Sequence, residues 1–479
     1  MPEFIFKTTP YNHQREAFDA SCDTQNYALL MDMGTGKTKV CVDTIGYNYE
    51  SGKINLAVIV APKGVIANWI GEISTHLPDR IEREIVLWKP SLTKAKRKEL
   101  TDLAKPAQKL KFLLMNIEAF STKKGVDVAE FFVKKFKTCM VVDESTTIKN
   151  RQAKRTKAVC DVGRGAVTKR ILTGSPVTKS PMDLYSQMDF LSPEILGFRS
   201  YYAFQGRYAV VQRRSMGAHS FNQILGFRRL DELTEKLQNF SYRVRKEDCL
   251  DLPDKVYVRR FVELTKEQSD AYTQMKHLAL ARLDSGELST TQNVLTQIMR
   301  LQQICLGHLT DDDGVTHPVK SNRLDELLSI ADEIQGKAII WATWTRDIRA
   351  IAEALRDRFS VQAVATLHGE TADSERQEVV ESFQNRCSEL RFIVGHPKTG
   401  GYGLTLTAAN TVVYFSNSYD LELRLQSEDR AHRIGQKNNV TYVDLISPKT
   451  IDEKIVDALR NKIKIADTVL GEDVREWLK

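Results

Sequence analysis

YALLMDMGTGKT, residues 27–38, decides the fold. An apolar run, Tyr27–Met31, stops at a loop holding Gly34 and Gly36. A helical pattern follows, with Val42, Ile45 and Tyr49 at i, i+3 and i+7. A short run that is apolar throughout, rather than alternating, fits a strand buried on both faces, as in a parallel sheet. The unit recurs at LAVIV (56–60), FLLM (112–115), CMVV (139–142) and RIL (170–172), each run followed by polar or Gly/Pro residues. Strand and helix in alternation predict an α/β sheet.

From about residue 192 to 335 the pattern turns helical and rich in Gln, Arg and Leu. DLPD (251–254) punctuates it and marks a lobe boundary. The α/β rhythm returns at KAIIWAT (337–343), VQAVATL (361–367), RFIVGHP (391–397), TVVYF (411–415) and VTYVDLIS (440–447). The expected architecture is α/β, with two parallel-sheet lobes and helical insertions between them. The first lobe takes residues 1–250 with a helical insert near 192–245. The second takes 251–479 with a helical insert near 260–320 and a helix from Ile451. A chain of 479 residues is too long for one ordinary core, which agrees with this division.

The composition bounds the function only loosely. No stretch of about 18 apolar residues suggests a membrane span. MPEFIFKTTPYNHQ lacks the charged start and apolar run of a signal peptide. The expected location is therefore cytoplasmic, with a bacterial or viral source favoured, or nuclear in a eukaryote. The seven cysteines include no C-x-x-C pair, so buried free thiols are expected and a structural zinc site is not. The net charge of +7 and pI near 8.8 permit a polyanionic partner without demanding one. TKAKRK (93–98) reads as a solvated helix face.

Three stretches carry chemistry. In DMGTGKT, Gly34, Thr35 and Gly36 form a loop whose backbone can wrap a triphosphate, helped by the helix N-terminus. Lys37 would reach the β- and γ-phosphates, and the Thr38 hydroxyl suits Mg²⁺. The usual phosphate loop begins with Gly six residues before its Lys; here Met31 stands there. In CMVVDEST, Asp143 at a strand end suits Mg²⁺, and Glu144 suits the base that polarises an attacking water. Together the two stretches point to ATP or GTP hydrolysis. In QSEDRAHRIGQ (426–436), Arg430 and Arg433 are three apart and are expected on one helix face. Planar, permanently charged guanidinium groups fit a developing phosphoryl charge. If they act so, the triphosphate binds between the lobes and its cleavage controls lobe closure.

The ordered set resembles the Swi/Snf-type family of helicase-like ATPases, within the DEAD-box-like helicase superfamily. YNHQREAF resembles its entry motif, with Gln14 at the adenine-reading glutamine. DMGTGKT is similar to DEMGLGKT, and APKGVIANWIGEI (61–73) matches a P-x-x-x-x-x-N-W-x-x-E segment through Pro62, Asn68, Trp69 and Glu72. VVDESTTIKN resembles DEAHRIKN, with Ser145 and Thr146 replacing Ala and His. LTGSPVTKSPMDLYSQMDFL (172–191) resembles LTGTP…L-[WY]. YRVRKEDCLDLPDK resembles the R-R-x-K…LP-x-K junction, with Val244 at an Arg position. LHGETADSERQEVVESF (367–383), KTGGYGLTLTAANTVVYF (398–415) and DRAHRIGQ match the second lobe.

The resemblance implies two RecA-like lobes, ATP with Mg²⁺, and Gly403 as a further nucleotide contact. It implies a backbone-gripping groove at Lys63, Asn116, Thr173, Thr399 and Gly400, contacts that read no sequence. It implies a monomer moving on double-stranded DNA without separating strands, acting on DNA-bound protein or RNA polymerase, with no membrane partner. Two alternatives stay open: a strand-separating DNA or RNA helicase, and a non-catalytic scaffold for nucleic acid or polymerase. Trp341 and Trp344 in WATW admit a base-stacking reading, but core packing is expected for Trp341, which closes a buried strand.

Overall fold

The computed structural model describes residues 4–90, 93–177, 180–216, 219–249, 252–284, 299–311, 315–369, 371, 373–400, 404–418, 420–457 and 459. The chain divides into two compact units, one running to Asp251 and the other starting at Leu252.

The first unit is built on a seven-stranded sheet. Its strands are β1 (Asn26–Met31), β2 (Leu56–Ala61), β3 (Arg83–Leu87), β4 (Leu110–Asn116), β5 (Thr138–Asp143), β6 (Thr168–Leu172) and β9 (Ser241–Val244). The order is β3-β4-β2-β5-β6-β1-β9. Every pairing in it is parallel. Alternation within the strands explains why the runs are apolar throughout. Ala28, Leu30, Leu56, Val58, Leu113 and Met115 enter one core, and Leu29, Met31, Ala57, Ile59, Phe112 and Leu114 enter the other. Each fully buried Leu, Ile, Val or Met contributes about 1.5–3 kcal/mol. Parallel strands must be joined by crossovers, and helices such as Lys37–Glu50 and Lys63–His76 supply them.

The 192–245 stretch departs from the helical expectation. Helices Tyr201–Tyr208 and Leu230–Gln238 flank an antiparallel hairpin, β7 (Ala209–Met216) and β8 (His219–Phe227). The Gln/Arg content suggested helix. The β-branched and aromatic residues Val210, Val211, Phe221, Ile224 and Phe227 favour strand. β9, at the end of the same stretch, is an edge strand of the main sheet: Val244 pairs with Met31.

The second unit holds a six-stranded parallel sheet. Its strands are β10 (Lys255–Phe261), β13 (Lys337–Trp341), β14 (Val364–Leu367), β15 (Phe392–Gly395), β16 (Ala409–Tyr414) and β17 (Val440–Ile446), in the order β10-β17-β16-β13-β15-β14. Two cores again take alternate residues, Ala338 and Ile340 on one side, Ile339 and Trp341 on the other. Trp341 is fully buried, as its place at the end of a buried strand suggests. A helix, Lys266–Asp284, and a small antiparallel pair, β11 (His308–Thr310) with β12 (Thr316–Pro318), precede β13. The expected terminal helix is present over residues 451–457; beyond that it lies largely outside the described residues.

Two buried titratable groups meet beside β13. His308 Nδ1 and Asp347 Oδ1 are 3.5 Å apart, with the Trp344 ring edge-on to His308. Burial lowers His308 to about 4 and raises Asp347 to about 7. In the folded chain, between about pH 4 and 6.5, the acid keeps its proton and the imidazole lacks one. The unfolded chain has the reverse, so both states bind one proton and the pair adds no slope to stability. Asp347→Asn removes that compensation. Its unfolded state then binds one proton more, through His308, and stability rises with pH across the window. Urea denaturation at pH 4.5 and 6.5 should show a steeper rise in the variant than in the parent; equal slopes would refute the pairing.

Candidate functional site

The phosphate loop follows β1 without a break. Met31, where a Gly is usual, is the last strand residue and is fully buried in the core. The turning falls instead to Gly34 at φ 80° and Gly36 at φ 89°. Gly36 caps the Lys37–Glu50 helix. A Cβ on Gly36 would lie 2.2 Å from Gln14 Nε2, so the cradle has room for glycine alone.

The loop is clamped from two sides. Gln14 Nε2 donates to the Thr35 carbonyl at 3.0 Å, and His13 Nε2 lies 2.8 Å from the same oxygen. Gln14 Oε1 accepts from Tyr11 N. The glutamine expected at adenine thus has its amide nitrogen on the loop and its amide oxygen on the N-terminus of its own helix. On the other side, the Asp32 carboxylate accepts from Arg243 at 2.7 Å and from the Lys246 backbone N–H at 3.0 Å. Asp32 N donates to the Val244 carbonyl. The Val at the junction's usual Arg position therefore acts through its backbone, beside an Arg243 that carries the charge.

Asp143 ends β5 at the same edge of the sheet. It is 3% exposed, and its Oδ2 accepts from the Trp69 indole at 2.9 Å while its Oδ1 accepts from Glu144 N at 2.9 Å. Burial pushes its carboxyl up, and the Lys37 ammonium and the Trp69 N–H hold it back. Lys37, only 8% exposed, acts on Asp143 through its charge rather than through a hydrogen bond. Glu144 follows in the left-handed region at φ 49°. That conformation is uncommon for a side chain of its size and recurs at functional sites. Ser145, the departure in the acidic box, donates to Gln187 Oε1 at 2.6 Å, and Gln187 Nε2 donates to the Pro176 carbonyl. The box is thereby tied to the LTGSP loop.

The donor set suits a divalent cation with its nucleotide. Thr38 lies half-buried in the first helical turn, and each Asp143 oxygen, with one hydrogen bond, keeps acceptor capacity. The expected backbone contacts of this unit lie at strand ends. Lys63 is exposed after β2, and Asn116 ends β4, bonded to Glu118. Thr173 departs from expectation. It is 1% exposed, and its hydroxyl accepts from Ser175 N, so it shapes the loop from beneath the surface.

In the second unit the arginines do not share a helix. The helix Leu421–Glu428 ends before them, and Asp429–Gly435 is a run of turns. Side chains hold these turns where a helical ladder was expected. Gln436 Nε2 donates to the carbonyls of Thr407, Ala409 and Ala431, His432 contacts the Pro253 carbonyl at 2.7 Å, and Gly435 takes φ 100°. Arg430 is 7% exposed and donates to the carbonyls of Gln426 and Leu404; Arg433 is half-buried. Thr399 and Gly400 lie in a four-residue helix, Pro397–Gly400, whose side chains at those two positions are not described. Gly403 lies outside the described residues.

A buried charge network precedes those turns. Glu428 accepts from Lys255 at 3.2 Å, Tyr257 at 2.7 Å and Arg424 at 2.8 Å. Arg424 also pairs with Asp444 at 2.5 Å and lies 3.5 Å over the Tyr414 ring. Burial alone would raise Glu428; the charges of Lys255 and Arg424 outweigh it and hold the carboxylate below its ordinary range. Lys255 and Tyr257 belong to β10, the first strand after DLPD, so Glu428 ties that strand to the arginine-bearing segment.

A family pattern for the SNF2-related domain matches residues 13–308, and one for the helicase conserved C-terminal domain matches 319–435. The chain belongs to the SNF2-related family. An uncharacterised ATP-dependent helicase of Mycoplasma genitalium is 27% identical over 459 residues, 94% of this chain and 41% of that protein. The human SWI/SNF-related matrix-associated actin-dependent regulator of chromatin subfamily A member 1 is 25% identical over 93% of this chain and 42% of its own length. Zebrafish (Danio rerio) chromodomain-helicase-DNA-binding protein 1-like is 27% identical over 94% and 42%. The chain thus spans about two fifths of these relatives. Among solved structures, the Sulfolobus solfataricus SWI2/SNF2 ATPase core in complex with dsDNA is 24% identical, covering 99% of this chain and 95% of that one, with a TM-score of 0.44.

Set against the family pattern, three residues gain roles that motif reading alone did not assign: Trp69, Arg243 and Gln187. Trp69 and Arg243 stood inside quoted motifs, but only the folded geometry shows which atoms they meet. Trp69→Phe keeps the ring and deletes the N–H. Turnover should fall about 10–100-fold, the loss of a hydrogen bond to a charged group, with nucleotide affinity nearly unchanged; steady-state hydrolysis and nucleotide titration check this. Among the described residues, Glu428→Leu leaves Lys255 ion-paired to Asp429 alone, at 3.6 Å, and Arg424 to Asp444 alone, and chemical denaturation should register a loss of about 1–3 kcal/mol.

Proposed function

We propose that this chain is an ATP-driven motor that translocates along double-stranded DNA and remodels or displaces DNA-bound protein, without obligatory strand separation. One observation carries the reading. A glycine cradle ending in Lys37 and a buried Asp143–Glu144 pair stand at one edge of one sheet, with Lys37 acting on Asp143. Family membership supports ATP as the nucleotide. The relatives' own partners belong to longer proteins, so DNA and a protein target are proposals for this chain.

In the proposed mechanism, backbone N–H groups of Gly34–Thr38 bind the phosphate oxygens, with the helix dipole behind them. Lys37 neutralises charge on the β- and γ-phosphates. Glu144 accepts a proton from the attacking water, and its left-handed backbone sets the carboxylate's direction. Thr38 and Asp143 are the residues that would hold Mg²⁺, which supplies charge neutralisation on the phosphates when bound. Trp69 fixes the Asp143 carboxylate so that it does not rotate onto Lys37. Arg433, the more open of the two arginines, and Arg430, braced by carbonyls, stabilise charge that develops on the transferred phosphoryl group. Lys63, Asn116, Thr399 and Gly400 meet the DNA backbone, which makes binding salt-dependent. Gly403 adds to the nucleotide contacts. The protein works as a monomer in the cytoplasm of a bacterial host, or in the nucleus of a eukaryote.

Hydrolysis should be measured with no polymer, single-stranded DNA, duplex DNA and RNA. Duplex alone should stimulate, and stimulation by RNA alone would end the reading. Displacement of a third strand from a triplex, with the duplex left paired, separates translocation from unwinding. Lys37→Ala and Glu144→Gln should abolish turnover, with Glu144→Gln still binding ATP. Arg433→Ala should lower turnover about 10³-fold or more at nearly unchanged ATP affinity; an undiminished rate removes the arginine from the mechanism.

A further inference from the structure

The positive charge of this protein is not spread over it. Between Lys94 and Lys137 stand twelve Lys and Arg against five Asp and Glu, a surplus of seven, which equals the net charge of the whole chain. The rest of the molecule is neutral in sum. This segment spans the helix Lys94–Leu103, strand β4 and the helix Lys123–Lys135.

The same segment holds an open groove of about 590 Å³. Leu100, Ala104, Val128, Phe131 and Phe132 form its apolar lining, with Lys105, Lys135 and one carboxylate, Asp127, beside them. Phe131 is 50% exposed, edge-on to Phe132, with the Lys135 ammonium 5.4 Å from its ring centre. The lining comes from the ends of the two helices that lead into β4 and β5. The groove therefore sits at the amino-terminal edge of the sheet, opposite Lys37 and Asp143.

The carboxylates of the two helices are largely spent. Glu99 pairs with Lys96, Asp102 with Lys105 and Glu130 with Lys134, each within its own helix or the turn after it. Lys94, Arg97, Lys98, Lys123 and Lys135 make no ion pair among the described residues. An apolar floor within a segment that carries a cationic surplus, unpaired at Lys94, Arg97, Lys98, Lys123 and Lys135, specifies one kind of occupant.

We propose that this groove docks an acidic amphipathic segment of another protein, with large aliphatic or aromatic side chains on one face and carboxylates beside them. A helix laid in a groove by its apolar face is a recurring mode of recognition. Charge complementarity speeds encounter and selects against basic competitors. Duplex DNA fits less well, because its sugar-phosphate surface has nothing to fill an apolar floor and its bases are stacked away. The site lies on the opposite sheet edge from the nucleotide, so docking leaves hydrolysis free to run.

The probe is a labelled synthetic 20-residue amphipathic peptide with Leu and Phe on one helical face and Glu elsewhere, read by fluorescence anisotropy on the full chain. A second peptide carries Lys at the Glu positions, and an unlabelled duplex oligonucleotide serves as competitor. The acidic peptide should bind and the basic one should not. Phe131→Ser should weaken binding about tenfold or more, as for a buried aromatic anchor. The triple substitution Lys94→Glu, Arg97→Glu, Lys98→Glu should weaken it and flatten its salt dependence. Both variants change exposed side chains, and unchanged basal ATP hydrolysis verifies their folding independently of the peptide. Equal binding of the basic peptide, displacement of the acidic one by duplex, or indifference to Phe131→Ser would each overturn the proposal, the second assigning the basic surface to nucleic acid.

Discussion

A carboxylate can sit at the end of β5 because an indole and a backbone N–H bond it there and an ammonium lends its field. Asp143 is almost wholly out of water, and burial works against its charge. Trp69 N–H and Lys37 offset that cost from two crossover helices, Lys63–His76 and Lys37–Glu50. Those helices are where they are because strands buried on both faces must be joined by crossovers. The candidate site is therefore not an addition to the fold. It is the point at which two crossovers and one strand end converge, and the phosphate loop's bracing by Gln14, His13 and Arg243 keeps that convergence in register.

The sequence made the sheets legible for the same reason. A strand with both faces buried has no polar alternation to hide it, so YALLM, LAVIV, FLLM, CMVV and RIL are all strands. β3 and β10 were missed because they lie toward or at sheet edges. Arg83 and Glu84 in one, and Lys255, Arg259 and Arg260 in the other, break the apolar run. The β7–β8 hairpin was missed because its polar content outweighed its β-branched residues. At the site, residue type and spacing singled out Lys37, Asp143 and Glu144, and the structure gathers the three at one edge of the first sheet. Type and spacing did not identify Trp69 or Arg243 as partners, since a donor's partner 74 positions away leaves no local mark. The Arg430–Arg433 helix was wrong for a related reason. Spacing of three fits a helix face, but Gly435 and the Gln436 amide end the helix early and hold turns in its place.

The two units solve one problem by different means. In the first, the site is held mainly by neutral donors and backbone carbonyls, with the ion pair Arg243–Asp32 at the loop. In the second, a chain of full charges, Lys255–Glu428–Arg424–Asp444, runs beneath the arginine-bearing turns. Such a chain is poor value as stability, because apolar residues of equal volume would serve as well. What it supplies is direction. Glu428 takes three donors from two elements, and sliding the helix Leu421–Glu428 by one residue along β10 would strand a buried charge. An apolar contact tolerates small slips; a hydrogen-bonded ion pair does not. A segment that carries its guanidinium groups on turns rather than on a helix gains fixed placement from that intolerance. The first strand after the DLPD boundary is also the strand that holds Glu428, so displacement at the boundary and displacement of the arginines become one motion within this unit. That coupling rests on a carboxylate that the surrounding charges keep ionised.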